Sequence, residues 1–338
     1  MEERKIAFEF VGVQIYESDF SKEAVSRLNE ELVREFYNAD RKIARTEIVK
    51  AGILTTKNLN EMLFEQLKTG NEKERYNVIE AILSNPNLEQ IEEKIWKALS
   101  ENYDSSVRRS AAESRFATEE RLQKMLKDEL DKESELGVIE AILLNPNLEQ
   151  IEEEIWGSLS NYYDYEWETR EFLAKSRLAT EKRLQKMLEE ELDKIANSYE
   201  IEAILSNPNL EQIDEEIWKG LSENCDFGIR EIAAESRLAT EKRLQEMLKH
   251  ELESEGKLNW ERLDVIKAIL LNPNLEQIDE EIWKSLSENY EWKIREIAAK
   301  SRLATEGRLQ EMLEHESKVG KDSDVIKAIF SNKNLKND

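Results

Sequence analysis

The feature that most constrains the fold of this chain is a repeated tetrapeptide, Asn-Pro-Asn-Leu. All four prolines of the 338-residue chain stand in it, and successive prolines are separated by 60, 62 and 65 residues. Helices rarely continue through Asn-Pro, because proline lacks the amide hydrogen and disfavours helix at the preceding residue. A helix breaker that recurs at nearly constant spacing indicates an architecture built from repeats. The four residues are Pro86, Pro146, Pro208 and Pro273.

Two sequence blocks alternate along the chain and together form a repeat of about 60 residues. The first block contains the proline, reads Ala-Ile-Leu-x-Asn-Pro-Asn-Leu-Glu-Gln-Ile and ends at a tryptophan. The second block reads Ser-Arg-x-Ala-Thr-Glu-x-Arg-Leu-Gln-x-Met-Leu. Each block predicts a short apolar helix, a polar break and a longer amphipathic helix, so the repeat consists of two half-repeats. The tryptophans are Trp96, Trp156, Trp218 and Trp283, and the second blocks begin near Ala112, Ala174, Ala234 and Ala299.

The longer helices carry start signals that the sequence makes explicit. In the first block of the third repeat, Asn209 and Gln212 have the spacing of a capping box. The apolar positions that follow match one helical stripe, which predicts a buried face. In the second block, Thr180 is expected to cap its helix, and Glu181 stands where the helix dipole favours an acid. The stripe consists of Leu210, Ile213, Ile217, Trp218 and Leu221.

Residues 1–40 lie outside the repeats, which are expected to fill residues 41–338. Ile6 to Tyr16 is rich in β-branched and aromatic residues and predicts a small strand or hairpin. Ser21 to Tyr37 predicts a helix capped by Ser21. The segment is expected to be either an N-terminal cap or a docking or dimerisation element. At the other end, Lys333 stands in the position of the proline.

The Asn-Pro-Asn-Leu break between short helices resembles the leucine-rich repeat variant family, with HEAT-like repeats as the broader relative. This resemblance implies an all-α fold, a right-handed α-solenoid of short helix pairs. It covers roughly residues 40–338. A well-known member of that family is associated with an iron–sulfur cluster, which the single cysteine of this chain does not support. No cofactor is therefore expected.

Composition and charge exclude several functional classes. The chain has 49 Lys and Arg against 74 Asp and Glu, a net charge of −25. That charge opposes binding to a nucleic-acid backbone, and it also disfavours a HEAT-like DNA glycosylase. The single cysteine, Cys225, excludes an internal disulfide and a four-cysteine zinc site. With no apolar run long enough to span a membrane, the sequence predicts a soluble cytoplasmic protein.

Comparison among the repeats predicts that the chain is not an enzyme and has no catalytic, metal or cofactor site. His250 and His315 share a column with Asp128 and Glu190, which is typical of a solvated helix end. Cys225 replaces a tyrosine and is expected to pack as a half-buried residue. No phosphate loop or metalloprotease motif is present. The four tryptophans are expected in the core, and two arginine columns are expected to form hydrogen bonds and ion pairs between neighbouring repeats. Those columns are Arg108, Arg170, Arg230 and Arg295, and Arg115, Arg177, Arg237 and Arg302.

Two sets of residues are predicted to bind a partner. Aromatic residues in the connections between half-repeats are expected to be partly exposed and to anchor a protein, although they could instead fold over the adjacent helix end. Acidic residues at the start of the longer first-block helices are expected to form a negative band, which could also be only a solvated face. The aromatic residues are Tyr165, Trp167, Phe227 and Trp292, and the acidic residues are Glu153, Glu154, Glu215, Glu216, Glu280 and Glu281.

These residues favour a non-catalytic scaffold or adaptor that holds a protein with a basic surface. The alternative is an inhibitor of the anti-defence type, which would mimic nucleic-acid charge and block a nucleic-acid-binding protein or nuclease. Neither hypothesis requires a membrane or direct contact with nucleic acid.

Overall fold

A computed structural model describes residues 6–10, 13–16, 22–38, 42–50, 54–68, 72–132, 136–162, 167–193, 197–253, 260–319 and 322–335. Near the N-terminus, strands β1 (Ile6–Phe10) and β2 (Val13–Tyr16) pair antiparallel, with Phe10 opposite Val13. The other elements of the described residues are twenty helices. The first three are α1 (Lys22–Asn38), α2 (Lys42–Lys50) and α3 (Thr56–Lys68).

The remaining helices fall into four classes that follow one another in each repeat. The Ile-Leu helices are α4 (Glu72–Leu83), α8 (Leu136–Leu144), α12 (Ser198–Ser206), α16 (Trp260–Leu271) and α20 (Ser323–Ser331). The Trp helices are α5 (Glu93–Ser100), α9 (Glu153–Tyr162), α13 (Glu215–Ser222) and α17 (Glu280–Ser287). The Arg helices are α6 (Ser105–Glu113), α10 (Trp167–Lys175), α14 (Phe227–Glu235) and α18 (Trp292–Lys300). The Met helices are α7 (Glu119–Asp131), α11 (Glu181–Leu192), α15 (Glu241–Glu253) and α19 (Glu306–Val319).

The chain divides into two compact units, Met1–Tyr163 (unit 1) and Asp164–Asp338 (unit 2). Within each unit, Ile-Leu helices and Arg helices pack side by side in alternation. The order is α4, α6 and α8 in unit 1, and α10, α12, α14, α16, α18 and α20 in unit 2. Each Trp helix packs against the helix two places before it in the chain. The pairs are α5 with α3, and α9, α13 and α17 with the Met helices α7, α11 and α15. The all-helical prediction is confirmed. The predicted boundary at residue 40, and the role of the segment before it, stay predictions.

The core lies between these helices and is filled by the repeated apolar columns. The four tryptophans of the Trp helices are buried, as predicted, together with the Ile-Leu residues that precede each proline. Burying such large apolar side chains supplies the main stabilisation of each unit.

The polar break is held by asparagine side chains. Asn207 is buried, and its Nδ2 donates to the carbonyl oxygens of Ala174 and Ser176 at 2.6 and 3.1 Å. Its Oδ1 accepts from the amide of Asn209, whose own Nδ2 donates to Ala179 O at 2.9 Å. Asn145, Asn272 and Asn332 make the same contacts. We call these hydrogen bonds the asparagine clamp. The last copy makes them although position 333 is Lys, so the two asparagines and not the proline form the clamp.

The clamp shows that the capping-box prediction is wrong. Asn209 bonds the preceding half-repeat, and the amide of Gln212 donates to Glu181 Oε1 at 3.0 Å. The segment from Leu210 to Asp214 is therefore non-helical, and helix α13 begins only at Glu215. By contrast, Thr180 does cap α11 by accepting from the amide of Arg183, as predicted. The predicted cap at Ser21 lies outside the described residues.

The second arginine column ties successive breaks together. Arg237 Nη2 donates to the carbonyl oxygens of Asn207 and Leu210 at 2.8 and 2.5 Å, and Arg115 and Arg302 repeat the pattern. These bonds join the two half-repeats of one repeat, whereas the sequence predicted bonds between neighbouring repeats. None of the described helices is both long enough and apolar enough to cross a bilayer.

Candidate interaction surface

The predicted acidic residues lie at the first turn of the Trp helices and are exposed. Acidic side chains at this position are stabilised by the helix dipole. The residues are Glu153 and Glu154 on α9, Glu215 and Glu216 on α13, and Glu280 and Glu281 on α17.

One carboxylate of each pair is engaged in the fold. Arg243 of α15 donates to Glu215 at 3.0 Å, and Arg308 of α19 donates to Glu280 at 3.1 Å. The same guanidinium groups lie over the buried tryptophans, 4.8 Å from the ring centroid of Trp218 and 4.7 Å from that of Trp283. Glu153, at the corresponding position of α9, also has an interaction partner.

The second carboxylate of each pair is available to a partner. Glu154, Glu216 and Glu281 are exposed and form no ion pair with the described residues. The predicted band of six carboxylates is therefore reduced to three that are free, and the other three have structural partners.

Two of the predicted edge aromatics are partly exposed, and one of them also makes the alternative contact with its own helix. Phe227 and Trp292 are the first residues of α14 and α18, not members of a connection, and both are half-buried. The guanidinium of Arg230 lies 4.1 Å from the ring centroid of Phe227, so this ring folds back over its own helix. Trp167 begins α10, but its side chain lies outside the described residues, as does Tyr165.

In each unit, an exposed aromatic residue lies two residues earlier in the sequence than the column of these edge aromatics. Tyr103 is 68% exposed and Tyr290 is 78% exposed, each in the loop between a Trp helix and an Arg helix. Their column also contains Cys225, which is exposed. The prediction that this column packs as half-buried aromatics is therefore wrong.

A buried arginine explains why these tyrosines point outward. Arg108 Nη1 donates to the carbonyl oxygens of Asn102 and Tyr103 at 2.8 and 3.1 Å. Asn102 Oδ1 also accepts from the amide of Asp104. These bonds fix the loop backbone, and Arg295 makes the same pair of bonds to Asn289 and Tyr290.

Carboxylates flank each exposed tyrosine. Glu288 and Glu291 stand on either side of Tyr290. Beside Tyr103, Asp104 pairs with Arg75 at 3.2 Å and Glu101 pairs with Lys124 at 3.8 Å. Tyrosine offers a large contact area at low entropic cost and a hydroxyl group for hydrogen bonding. We call Tyr103, Tyr290 and their flanking acids the tyrosine loops.

Sequence reasoning missed the acidic partner of the first arginine column. Arg108 is buried and donates to both carboxylate oxygens of Glu129, at 2.7 and 3.1 Å. In each repeat, a glutamate stands one residue after the column that contains Asp128, Glu190, His250 and His315. This recurring glutamate was a sequence signal for the partner of the arginine column. These acids are buried, whereas His250 is exposed. They are Glu129, Glu191, Glu251 and Glu316.

Comparison with known proteins adds no relative. No family model matches the chain, and no curated protein matches it. The predictions that the chain lacks catalytic, metal and cofactor residues stay predictions.

Proposed function

We propose that this protein is a non-catalytic scaffold or adaptor that holds a basic protein partner. The observation that carries the proposal is the exposed tyrosine of each unit, Tyr103 and Tyr290, on a loop whose backbone a buried arginine holds. Tyrosine offers a large contact area at low entropic cost, and the carboxylates beside Tyr290 attract lysine and arginine.

The free carboxylates of the Trp helices support the same partner class. Glu154, Glu216 and Glu281 are exposed, and the net charge of −25 adds a long-range attraction for a basic protein. Such charges accelerate association and make it salt-dependent. The tyrosine loops then supply short-range contacts.

We also propose that the helix pairs of each unit stack as a right-handed α-solenoid of the leucine-rich repeat variant or HEAT-like kind. The alternating packing within each unit and the asparagine clamp between successive half-repeats support this arrangement.

Affinity purification followed by quantitative binding tests the scaffold proposal. The partner is first captured on the intact chain at low salt and identified by mass spectrometry. Its affinity is then measured for Tyr103→Ser/Tyr290→Ser and for Glu154→Gln/Glu216→Gln/Glu281→Gln. We expect the tyrosine variant to lose at least about tenfold in affinity, because two exposed anchors are removed. The glutamine variant is expected to lower the association rate and the salt dependence.

A matched control separates local contacts from net charge. Glu189→Gln/Glu311→Gln/Glu314→Gln removes the same number of exposed carboxylates from the Met helices. We expect it to change affinity less than the first-turn variant does. Unchanged binding by both the tyrosine variant and the first-turn variant would contradict the proposal.

The alternative function is a nucleic-acid-mimicking inhibitor of the anti-defence type, favoured by the same acidic composition. It requires that the partner use one surface for both nucleic acid and this chain. Adding duplex DNA or RNA to the captured complex tests this requirement, because competition is expected for a mimic and simultaneous binding for a scaffold.

A further inference from the structure

One position in the Ile-Leu helices breaks the repeat pattern with a charge. Four of the five copies have valine there, and all four valines are buried. The copy on α12 has Glu200, whose side chain is only 2% exposed. A carboxylate so deeply buried is costly unless it is paired or protonated. The valines are Val78, Val138, Val265 and Val325.

Glu200 pairs with Arg170, whose counterparts in the other repeats pair with the glutamate of the Met helix. In unit 1, Arg108 donates hydrogen bonds from both Nε and Nη2 to Glu129. In unit 2, Arg170 Nε donates to Glu200 Oε1 at 2.7 Å, which leaves Glu191 with Nη2 at 3.2 Å. Glu190 contacts the same Nη2 at 3.4 Å.

The cluster therefore contains more acids than bases. Arg170 comes from α10, and Glu190 and Glu191 come from α11, where Lys186 pairs with Glu190 at 3.7 Å. The amide of Asn197 donates to Glu191 Oε2 at 3.3 Å. On α14, which packs on the other side of α12, the buried charged group is Arg230, and it is paired with Glu251 of α15. On α12 itself, Tyr199 next to Glu200 is exposed.

A proton on Glu200 relieves this imbalance. Glu191 and Glu200 both lie against the guanidinium of Arg170, at 3.2 and 2.7 Å, and both side chains are buried, so two carboxylates there repel each other with little screening. Burial raises the pKa of Glu200 to about 7, Arg170 opposes this rise, and Glu191 adds to it. Burial lowers the pKa of Arg170, but Glu200, Glu191 and Glu190 raise it by more, so the arginine stays charged.

We propose that the Arg170 cluster is a pH-sensitive latch, in which a proton on Glu200 holds α12 against α10 and α11. Loss of that proton leaves two buried carboxylates on one guanidinium, and their repulsion loosens α12. The latch acts within unit 2 and is independent of any partner.

The direction of the pH effect follows from proton linkage. A glutamate in the unfolded chain has a pKa near 4.5, below that of folded Glu200. The folded chain therefore binds this proton more tightly, and its contribution to stability falls as pH rises from about 4.5 through about 7. The effect levels off at higher pH.

Thermal unfolding between pH 5 and pH 8 tests the latch in the full chain. Glu200→Gln removes the titrating group, so its Tm is expected to depend less on pH than that of the wild type. Glu200→Val restores the residue of the other repeats, and its Tm advantage over the wild type is expected to grow by ~3 °C or more between pH 5 and pH 8. Glu202→Gln, on the exposed face of the same helix, is the control and is expected to behave as the wild type.

Two further measurements keep the test decisive if a variant folds poorly. In the wild type, amide exchange in α12, corrected for its intrinsic pH dependence, is expected to be faster at pH 8 than at pH 5. Carboxyl NMR is expected to show Glu200 titrating near neutral pH. Titration of Glu200 near 4.5, or equal pH dependence of Tm in the wild type and Glu200→Gln, would overturn the proposal.

Discussion

At the residue scale, the buried arginine of each Arg helix joins the core to the surface. Arg295 Nε donates to Glu316 Oε1 at 2.5 Å, and both side chains are buried. Its Nη1 holds the loop of Tyr290 through two carbonyl oxygens. One guanidinium thus compensates a buried charge and also orients an exposed tyrosine.

Replacing Arg295 with methionine is expected to destabilise the chain by about 3–5 kcal/mol, because Glu316 is left buried without its cation. Urea unfolding at pH 7 measures the change. The double variant Arg295→Met/Glu316→Leu removes both charges and is expected to recover most of this loss. If the double variant is as unstable as the single one, the carbonyl contacts of Arg295, not its ion pair, carry its contribution.

At the element scale, the repeats let much of the fold be predicted, and the misses have local causes. Thr180 was predicted correctly as a cap because its partner amide is three residues away. Asn209 was predicted wrongly because its partners lie about 30 residues earlier, which local spacing does not reveal. The exposed tyrosines were missed because their direction depends on a buried arginine of the following helix.

The exposed faces of the Arg helices show a second pattern that the repeats explain. Two residues four apart form an ion pair in three of these helices: Arg109 with Glu113, Glu171 with Lys175, and Glu296 with Lys300. In α14 both positions are acidic, Glu231 and Glu235. Burial raises the pKa of Glu231, and repulsion from Asp264 and Glu235 raises it further.

The variant Glu235→Lys is therefore expected to stabilise the chain by about 0.5 kcal/mol, because it replaces a like-charge pair on α14 with an attractive one. Chemical denaturation at low salt measures the gain, which is expected to shrink in 0.5 M NaCl. Glu189→Lys on α11 makes the same change in net charge at an exposed position. An equal gain from that control would assign the effect to net charge alone.

At the scale of the whole molecule, two kinds of electrostatic interaction have opposite effects on stability. The buried Arg–Glu pairs attract and are poorly screened by salt, because they lie away from water. The excess of 74 acidic over 49 basic residues produces a repulsion. Among the residues that the structure describes, the carboxylates without a basic partner lie at the surface, where salt screens them well. Added salt should therefore weaken the repulsion more than the attraction.

We accordingly expect Tm at pH 7 to rise when NaCl is increased from 10 to 300 mM, because the Debye length falls from about 30 Å to below 8 Å. The variant Glu189→Gln/Glu311→Gln/Glu314→Gln lowers the negative charge by three and is expected to be more stable at 10 mM NaCl, with a smaller response to salt. Calorimetry of both proteins measures this. A Tm that falls with added salt would mean that exposed attractive pairs, such as Arg243 with Glu215, outweigh the repulsion. A rise would instead mean that the acidic surface lowers the stability of the free chain, a cost that a basic partner would remove on binding.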